Sequence, residues 1–298
     1  MGTWSISLWF LPLFSLLASG NSSAHFIPIR FPTRITQFQA EKKVSVSTPN
    51  GLYKEKFFTQ VLDHFNFNPK SYQTFQQRYL INDTFWGGEK NAPIFLYTGN
   101  EGEIEWFAQN TGFMFDNAPR FKALLVFIEH RFYGKSMPFG GNKDVAYSNS
   151  STLGYLSSTQ ALADYATLIT DLKKNLSATD SPVVVFGGSY GGRGSDEESI
   201  FPASEWDYND RATFCKSYFD IEPRPDWIPI EFGGHNIKRV LRRFGSNIIF
   251  FNGLRDPWSG GGVLSDISKS IVAIVAEEGA HHVDLRFATS EDPTWLKK

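Results

Sequence analysis

The chain has 298 residues, 41% of them hydrophobic and including 28 Phe and 8 Trp, which is enough apolar material for the core of a single large domain. Its 29 basic and 31 acidic residues leave a formal net charge of −2. That excludes the basic stripe of a nucleic-acid-binding protein and the charge runs of an acidic disordered tail.

Residues 1–24 read as a secretory signal: Ile6 to Ala18 is mostly apolar, and the small residues Ala18, Ser19 and Gly20 suit a cleavage region between Gly20 and Ala24. The apolar run is too short for a stable membrane span, and Pro12 would break a buried helix there. Three acceptor tripeptides for N-glycosylation, beginning at Asn82, Asn149 and Asn175, agree with secretion. Cys215 is the sole cysteine, so in a secreted protein its lack of a partner needs an explanation.

Residues 25–55 are polar and irregular and read as an N-terminal arm. Strand-like apolar runs follow at Phe57–Phe65, Phe75–Ile81, Pro93–Thr98 and Leu124–Glu129, the third ending in the turn residues Gly99-Asn100. One helix is expected from Trp106 to about Asn117. A second is expected over Thr152–Asn175, with Leu156, Ala163, Tyr165, Leu168, Ile169 and Leu172 on one side. Val183–Phe186 is a short buried strand, and Asn247–Phe251 and Ser270–Ala276 are two more. Strands alternating with helices predict an α/β fold with a mostly parallel sheet flanked by helices. Gly192 to about Phe244 shows neither helix nor strand periodicity and is expected to be loop.

Val183–Phe186 runs directly into Gly187-Gly188-Ser189-Tyr190-Gly191, a G-x-S-x-G pattern. A strand feeding such a pattern suits a sharp turn that lifts a nucleophilic serine above an α/β-hydrolase sheet. The chemistry then requires an acid and a histidine in that order. Asp256 follows the strand Asn247–Phe251 and His281 follows Ser270–Ala276, each at the end of a strand where active sites of open α/β sheets are built. Ser189, Asp256 and His281 are therefore the expected catalytic residues. A metal held by His281, His282 and Asp284 is the competing reading. It is disfavoured because adjacent side chains in extended backbone point to opposite faces. No cofactor and no metal are expected.

Five blocks carry a specific resemblance: Thr98–Glu103, Glu129–Ser136, Gly187–Gly192, Asn252–Val263 and Gly279–Arg286. They are similar, in this order, to the lysosomal Pro-X carboxypeptidase and dipeptidyl-peptidase II family of serine peptidases, over about residues 50–295. The resemblance implies an α/β-hydrolase fold and cleavage of a peptide substrate beside proline, with the blocks closer to the carboxypeptidase branch. It also implies that Ser189 attacks, His281 takes its proton and Asp256 orients His281. The backbone N–H of Tyr190 would be one oxyanion donor, and the Gly99-Asn100 turn would supply the second. A lipase or esterase on the same fold, a dipeptidyl peptidase, and a non-catalytic secreted relative are the alternatives. Among partners, nucleic acid is not expected, no membrane span is expected once the signal is removed, and a dimer is left open.

The departures from that family are equally specific. Its members carry a helix, a further sheet strand and a long helical cap after the nucleophile block. Here only 67 positions separate Ser189 from Asp256, too few to hold them. The chain also stops before the family's terminal helix. The expected organisation is residues 25–192 as the first part of the hydrolase domain, 193–244 as a cap remnant or linker, and 245–298 as the second part. An internal deletion of this kind would remove the disulfide partner of Cys215, most of the cap and much of the activity.

Overall fold

The computed structural model describes residues 52–68, 72–88, 91–188 and 207–297. The expected signal and arm, Ser189, Tyr190 and the acidic stretch after Gly192 lie outside them. From Tyr53 onward the described residues belong to one compact unit.

Strand β1 (Lys54–Val61) pairs antiparallel with β2 (Thr74–Asn82), and β2 pairs antiparallel with β4 (Leu124–Ile128). Strand β3 (Ile94–Thr98) lies parallel between β4 and β5 (Val183–Phe186), so the sheet order is β1-β2-β4-β3-β5. Every expected strand is present. They do not form one sheet, however: β6 (Ile248–Gly253) and β7 (Ile271–Ala276) make a separate parallel pair. The architecture is an α/β-hydrolase-type mixed sheet with flanking helices, parallel from β4 through β3 to β5 and again between β6 and β7.

Burial follows position in the sheet. The apolar runs of β3 and β4 are almost wholly buried, as expected for strands covered on both faces. By contrast β5, which pairs only with β3 among the described residues, is half-exposed, and Val184 is 43% exposed. The main core lies between the sheet and one long helix. Ile94, Leu96, Leu124, Val126 and Ile128 meet Ala161, Tyr165, Leu168, Ile169 and Leu172.

Two expected helices are divided. The first becomes α1 (Ile104–Asn110) and α2 (Gly112–Phe121), because Thr111 leaves helical geometry at φ −101° and ψ 59°. Gly112 sits so close to Phe287 that an added Cβ would fall 2.1 Å from its ring, and the break allows this approach. After the single turn α3 (Lys143–Ala146), the second is divided between the end of the single turn α4 (Ser150–Leu153) and α5 (Ser158–Asn175), whose N-terminus is capped by Ser157 accepting from Gln160 N–H.

Among its described residues, the stretch expected to be loop contains three α-helices: α6 (Tyr208–Phe219), α7 (Trp227–Glu231) and α8 (Ile237–Phe244). No residue of α6 is buried, so no apolar period exists in its sequence to be read. Local devices hold it instead. The Asp207 carboxylate caps the N-H groups of Asn209 and Asp210, and Phe214 stacks on Tyr218 at 5.7 Å. Cys215 on this helix is a free, half-buried thiol.

Buried ionic staples fix the loops around the sheet. Glu129 accepts from Arg78 Nη2 (2.5 Å), from the N–H of Ile104 at the start of α1 (3.1 Å) and from Ser136 N–H and Oγ (2.8 and 2.7 Å). Arg131 donates twice to Asp164 on α5, at 2.7 Å each, and His64 Nε2 lies 2.8 Å from the same carboxylate. Glu129, Arg131 and Asp164 are fully buried, and their hydrogen-bonding capacity is met by this network rather than by water.

Candidate active site

The loops after β6 and β7 are stitched together by backbone hydrogen bonds. Leu254 N–H donates to Ala276 O and Arg255 N–H donates to Gly279 O, both at 2.9 Å. This places Asp256 beside His281, with Asp256 Oδ2 2.6 Å from His281 Nδ1. The other carboxylate oxygen accepts from Trp258 N–H at 3.0 Å, which fixes the carboxylate plane at the start of a 3-10 turn. Asp256 is mostly buried and His281 about one-third exposed, so the imidazole has one ring nitrogen on a carboxylate in a partly dry setting.

Ser189 and Tyr190 lie outside the described residues, but Gly187 and Gly188 immediately before them do not. Both glycines are demanded by close approach. A Cβ on Gly187 would sit 2.7 Å from Thr98 Oγ1, and one on Gly188 would sit 2.8 Å from the ring of His282. The second histidine therefore packs against the residue preceding the expected nucleophile.

That position corrects the expectation that adjacent histidines diverge. His282 adopts φ 59°, a left-handed conformation that breaks strand alternation, and its ring lies 4.1 Å from that of His281. Burial and the neighbouring His281 push the His282 pKa down to about 4, while Asp256 opposes the shift. His282 is thus a neutral imidazole near pH 7, with its Nε2 buried and without a hydrogen-bond partner among the described residues. Asp284 is pushed up to about 6 by burial. It therefore brings no full negative charge to the pair under mildly acidic conditions.

The Gly99-Asn100 turn reaches the same place from β3. Gly99 N–H is already spent on Ile128 O at 2.9 Å, so within this turn the Asn100 backbone N–H is the donor left for an oxyanion. The Asn100 side chain is held at both ends: Oδ1 accepts from Tyr97 Oη at 2.9 Å, and Nδ2 donates to Gly188 O. Next to it Glu101 is pushed up to about 7 by burial. Of the three glycosylation candidates, Asn149 and Asn175 are exposed. Asn82 is buried at the end of β2, with its Oδ1 accepting from Thr84 N–H.

Sequence reasoning passed over two groups here. The side chain of Asn100 gives no sign in the sequence beyond a turn residue, because its partner Gly188 is brought to it only by the pairing of β3 with β5. Asp164 was hidden because it shares the apolar face of α5 with Leu168 and Leu172, and periodicity alone does not show an acid at a core position.

Comparison with known proteins gives the family. The model of the serine carboxypeptidase S28 family matches residues 60–202 and 201–298. The lysosomal Pro-X carboxypeptidase of Pongo abelii is 27% identical, covering 81% of this chain and 85% of that protein. The alignment runs over 433 residues although this chain has 298, so it opens long gaps in this chain. A prolyl carboxy peptidase like protein of Caenorhabditis elegans is 49% identical over 142 residues, 47% of this chain and 27% of that protein. The thymus-specific serine protease of Mus musculus is 37% identical over 191 residues, 62% of this chain and 35% of that protein. Among solved structures, a Pyrococcus furiosus esterase matches 78% of this chain and 85% of its own at 11% identity and a TM-score of 0.40. The Pyrococcus horikoshii acylaminoacyl peptidase covers 83% of this chain and 39% of its own at 12% identity, also with a TM-score of 0.40. With the family model spanning the strands, the glycine pair and the Asp256–His281 contact, the chain belongs to the serine carboxypeptidase S28 family.

Proposed function

We propose that this chain is a serine peptidase acting on peptides beside proline, with Ser189 as nucleophile, His281 as general base and Asp256 as the residue that orients the base. The observation that carries this reading is the 2.6 Å contact between Asp256 Oδ2 and His281 Nδ1, beside the Gly187-Gly188 pair that leads into Ser189. With Nδ1 bonded to the carboxylate, Nε2 is the nitrogen that takes the Ser189 proton. Attack of Oγ on the peptide carbonyl then gives a tetrahedral oxyanion next to the N–H groups of Asn100 and Tyr190. Collapse expels the leaving amine with the proton held on His281, and water repeats the sequence on the acyl-enzyme.

His282 is not the base in this reading: it has no carboxylate partner, and burial depresses its basicity. The proposed substrate is a peptide with proline at the scissile bond and a residue removed from its C-terminus, by likeness to the Pro-X carboxypeptidases. We place the protein in the secretory pathway, with residues 1–24 as its signal, Asn149 and Asn175 as glycan acceptors, and a lysosomal or vacuolar destination by the same likeness. The organisation is read as two halves of one hydrolase domain, 25–192 and 245–298, joined by a cap remnant over 193–244.

A second reading rests on the alignment gaps and the separation of β5 from β6: the activity is strongly reduced relative to family members that carry the intervening segment. A triad supplies only part of the rate, and substrate positioning supplies much of the rest. Cleavage of a C-terminal Pro-X peptide by the secreted chain, beside the same chain with the segment inserted from a relative, tests both readings. Pro-X cleavage that disappears in Ser189→Ala supports the first. Equal specific activity of the two forms would overturn the second, and an intact Pro-X peptide together with rapid hydrolysis of a simple acyl ester would overturn the first in favour of an esterase.

A further inference from the structure

Helix α8 has two chemically opposed faces. Lys238, Arg239, Arg242 and Arg243 occupy positions i, i+1, i+4 and i+5, which at 3.6 residues per turn share one side. Ile237, Val240, Leu241 and Phe244 fall on the other. Leu241 packs against the cluster of Ile248, Ile267 and Ile271, while Ile237 and Phe244 at the two ends of the apolar side are exposed and the basic side faces water.

Among the described residues none of the four cations forms an ion pair, and three have neutral partners. Lys238 Nζ donates to Ser265 Oγ at 3.1 Å, Arg242 donates to Ile267 O at 3.1 and 3.3 Å, and Arg243 lies over the Phe244 ring at 5.1 Å. Together with Asn236 they line an open hollow of about 400 Å³. Four positive charges concentrated on less than two helical turns, in a chain of net charge −2, make a local anion site that the peptidase chemistry does not use. Its distance from that chemistry follows from the topology. Helix α8 precedes the N-terminal end of β6 and Asp256 follows the C-terminal end, about 20 Å away for a strand of this length.

We propose that this face binds a sulfated glycan chain, with the guanidinium and ammonium groups pairing with successive sulfates, and that it tethers the protein without closing the active site. A flexible linear polyanion needs only a short patch, whereas duplex nucleic acid needs a longer basic footprint than one helix offers. A membrane-surface role would require the whole apolar side of the helix to enter lipid, and its central residue Leu241 packs against Ile248, Ile267 and Ile271 instead.

The test is binding of the full secreted chain to immobilised heparin across a salt series. The variant Lys238→Gln/Arg239→Gln/Arg243→Gln removes the patch but spares Arg242, which holds the Ile267 carbonyl. A control of equal charge change, Lys56→Gln/Lys143→Gln/Lys174→Gln, alters exposed lysines elsewhere. The expected result is binding that weakens steeply with salt, falls about tenfold or more in the patch variant and is unchanged in the control. Equal weakening in both variants, no binding by the unmodified chain at physiological salt, or tighter binding to a DNA duplex or to phosphatidylserine vesicles would overturn the proposal. Should the patch variant not be secreted, heparin oligosaccharides are expected to protect Lys238 but not Lys174 of the unmodified chain from acylation, and equal protection would overturn it as well.

Discussion

The side chain of Asn100 links two strands at the point where catalysis is proposed, accepting from Tyr97 Oη and donating to the carbonyl of Gly188. This ties the loop after β3 to the residue before the nucleophile turn. Asn100→Ala removes both bonds and leaves the buried Tyr97 hydroxyl without its acceptor. Loss of a buried hydrogen-bond partner costs about 1–3 kcal/mol, so the expected outcome is a lower unfolding midpoint together with slower acylation of Ser189. Thermal unfolding and the rate of labelling by an acylating probe check the two parts separately.

Replacing either histidine separates their roles. His281→Ala removes the imidazole bonded to Asp256 and is expected to lower turnover on the order of a thousandfold or more. His282→Ala leaves that contact in place, and its loss of turnover is expected to be clearly smaller. Single-turnover kinetics on both variants, with circular dichroism to show that each is folded, makes the comparison.

Gly188→Ala sets a methyl group 2.8 Å from the His282 ring. The imidazole or the backbone has to move. The variant is expected to fold, to lose activity, and to recover part of it when combined with His282→Ala, which vacates the space. A double-mutant cycle measures that coupling.

Asp164 is expected to matter for stability rather than chemistry. It is fully buried and receives two hydrogen bonds from Arg131. Asp164→Ala leaves a buried guanidinium without its carboxylate, a loss of about 3–5 kcal/mol. Greatly reduced secretion of soluble protein is the readout.

Glu101 is expected to contribute stability as pH falls from about 7 toward 5. Glu101, raised to about 7, and Asp284, raised to about 6, are carboxyls whose burial disfavours the charged form. The folded state therefore binds protons that the unfolded state still lacks in this window, and acidification favours folding. His282 acts in the opposite sense: lowered to about 4, it stays neutral when folded, while an unfolded histidine charges below about 6.5. His130, whose pKa burial also lowers, acts in the same sense as His282, so two carboxyls stand against two imidazoles and the Glu101 contribution is read by difference between pH 7.5 and 5.5. Unfolding midpoints of the unmodified chain and of Glu101→Gln at the two pH values check it: the unmodified chain is expected to gain more, or lose less, on acidification than the variant.

Much of the fold was legible because its strands are short and nearly all apolar. Pro93–Thr98 and Leu124–Glu129 are buried and central in the sheet, and Val183–Phe186, though half-exposed, is apolar throughout and leads into a glycine turn. Helix α6 was not legible, since it buries nothing and so carries no period. The break at Thr111 was not either, because it is set by Phe287, remote in sequence. In the candidate site, the Asp256–His281 pairing could be anticipated from residues following successive strands. The placement of His282 could not, because it depends on one left-handed backbone angle that adjacent residue types do not announce.

The most direct measurement of the central claim is covalent labelling of the purified, secreted chain by a fluorophosphonate, with the modified residue located by peptide mass spectrometry. Only a serine activated by a correctly held base reacts at an appreciable rate. The account expects a single adduct on Ser189, abolished by Ser189→Ala and slowed strongly by His281→Ala and Asp256→Ala. An adduct on another serine would contradict it, as would labelling that survives His281→Ala but is lost in His282→Ala, or a folded chain that does not react at all.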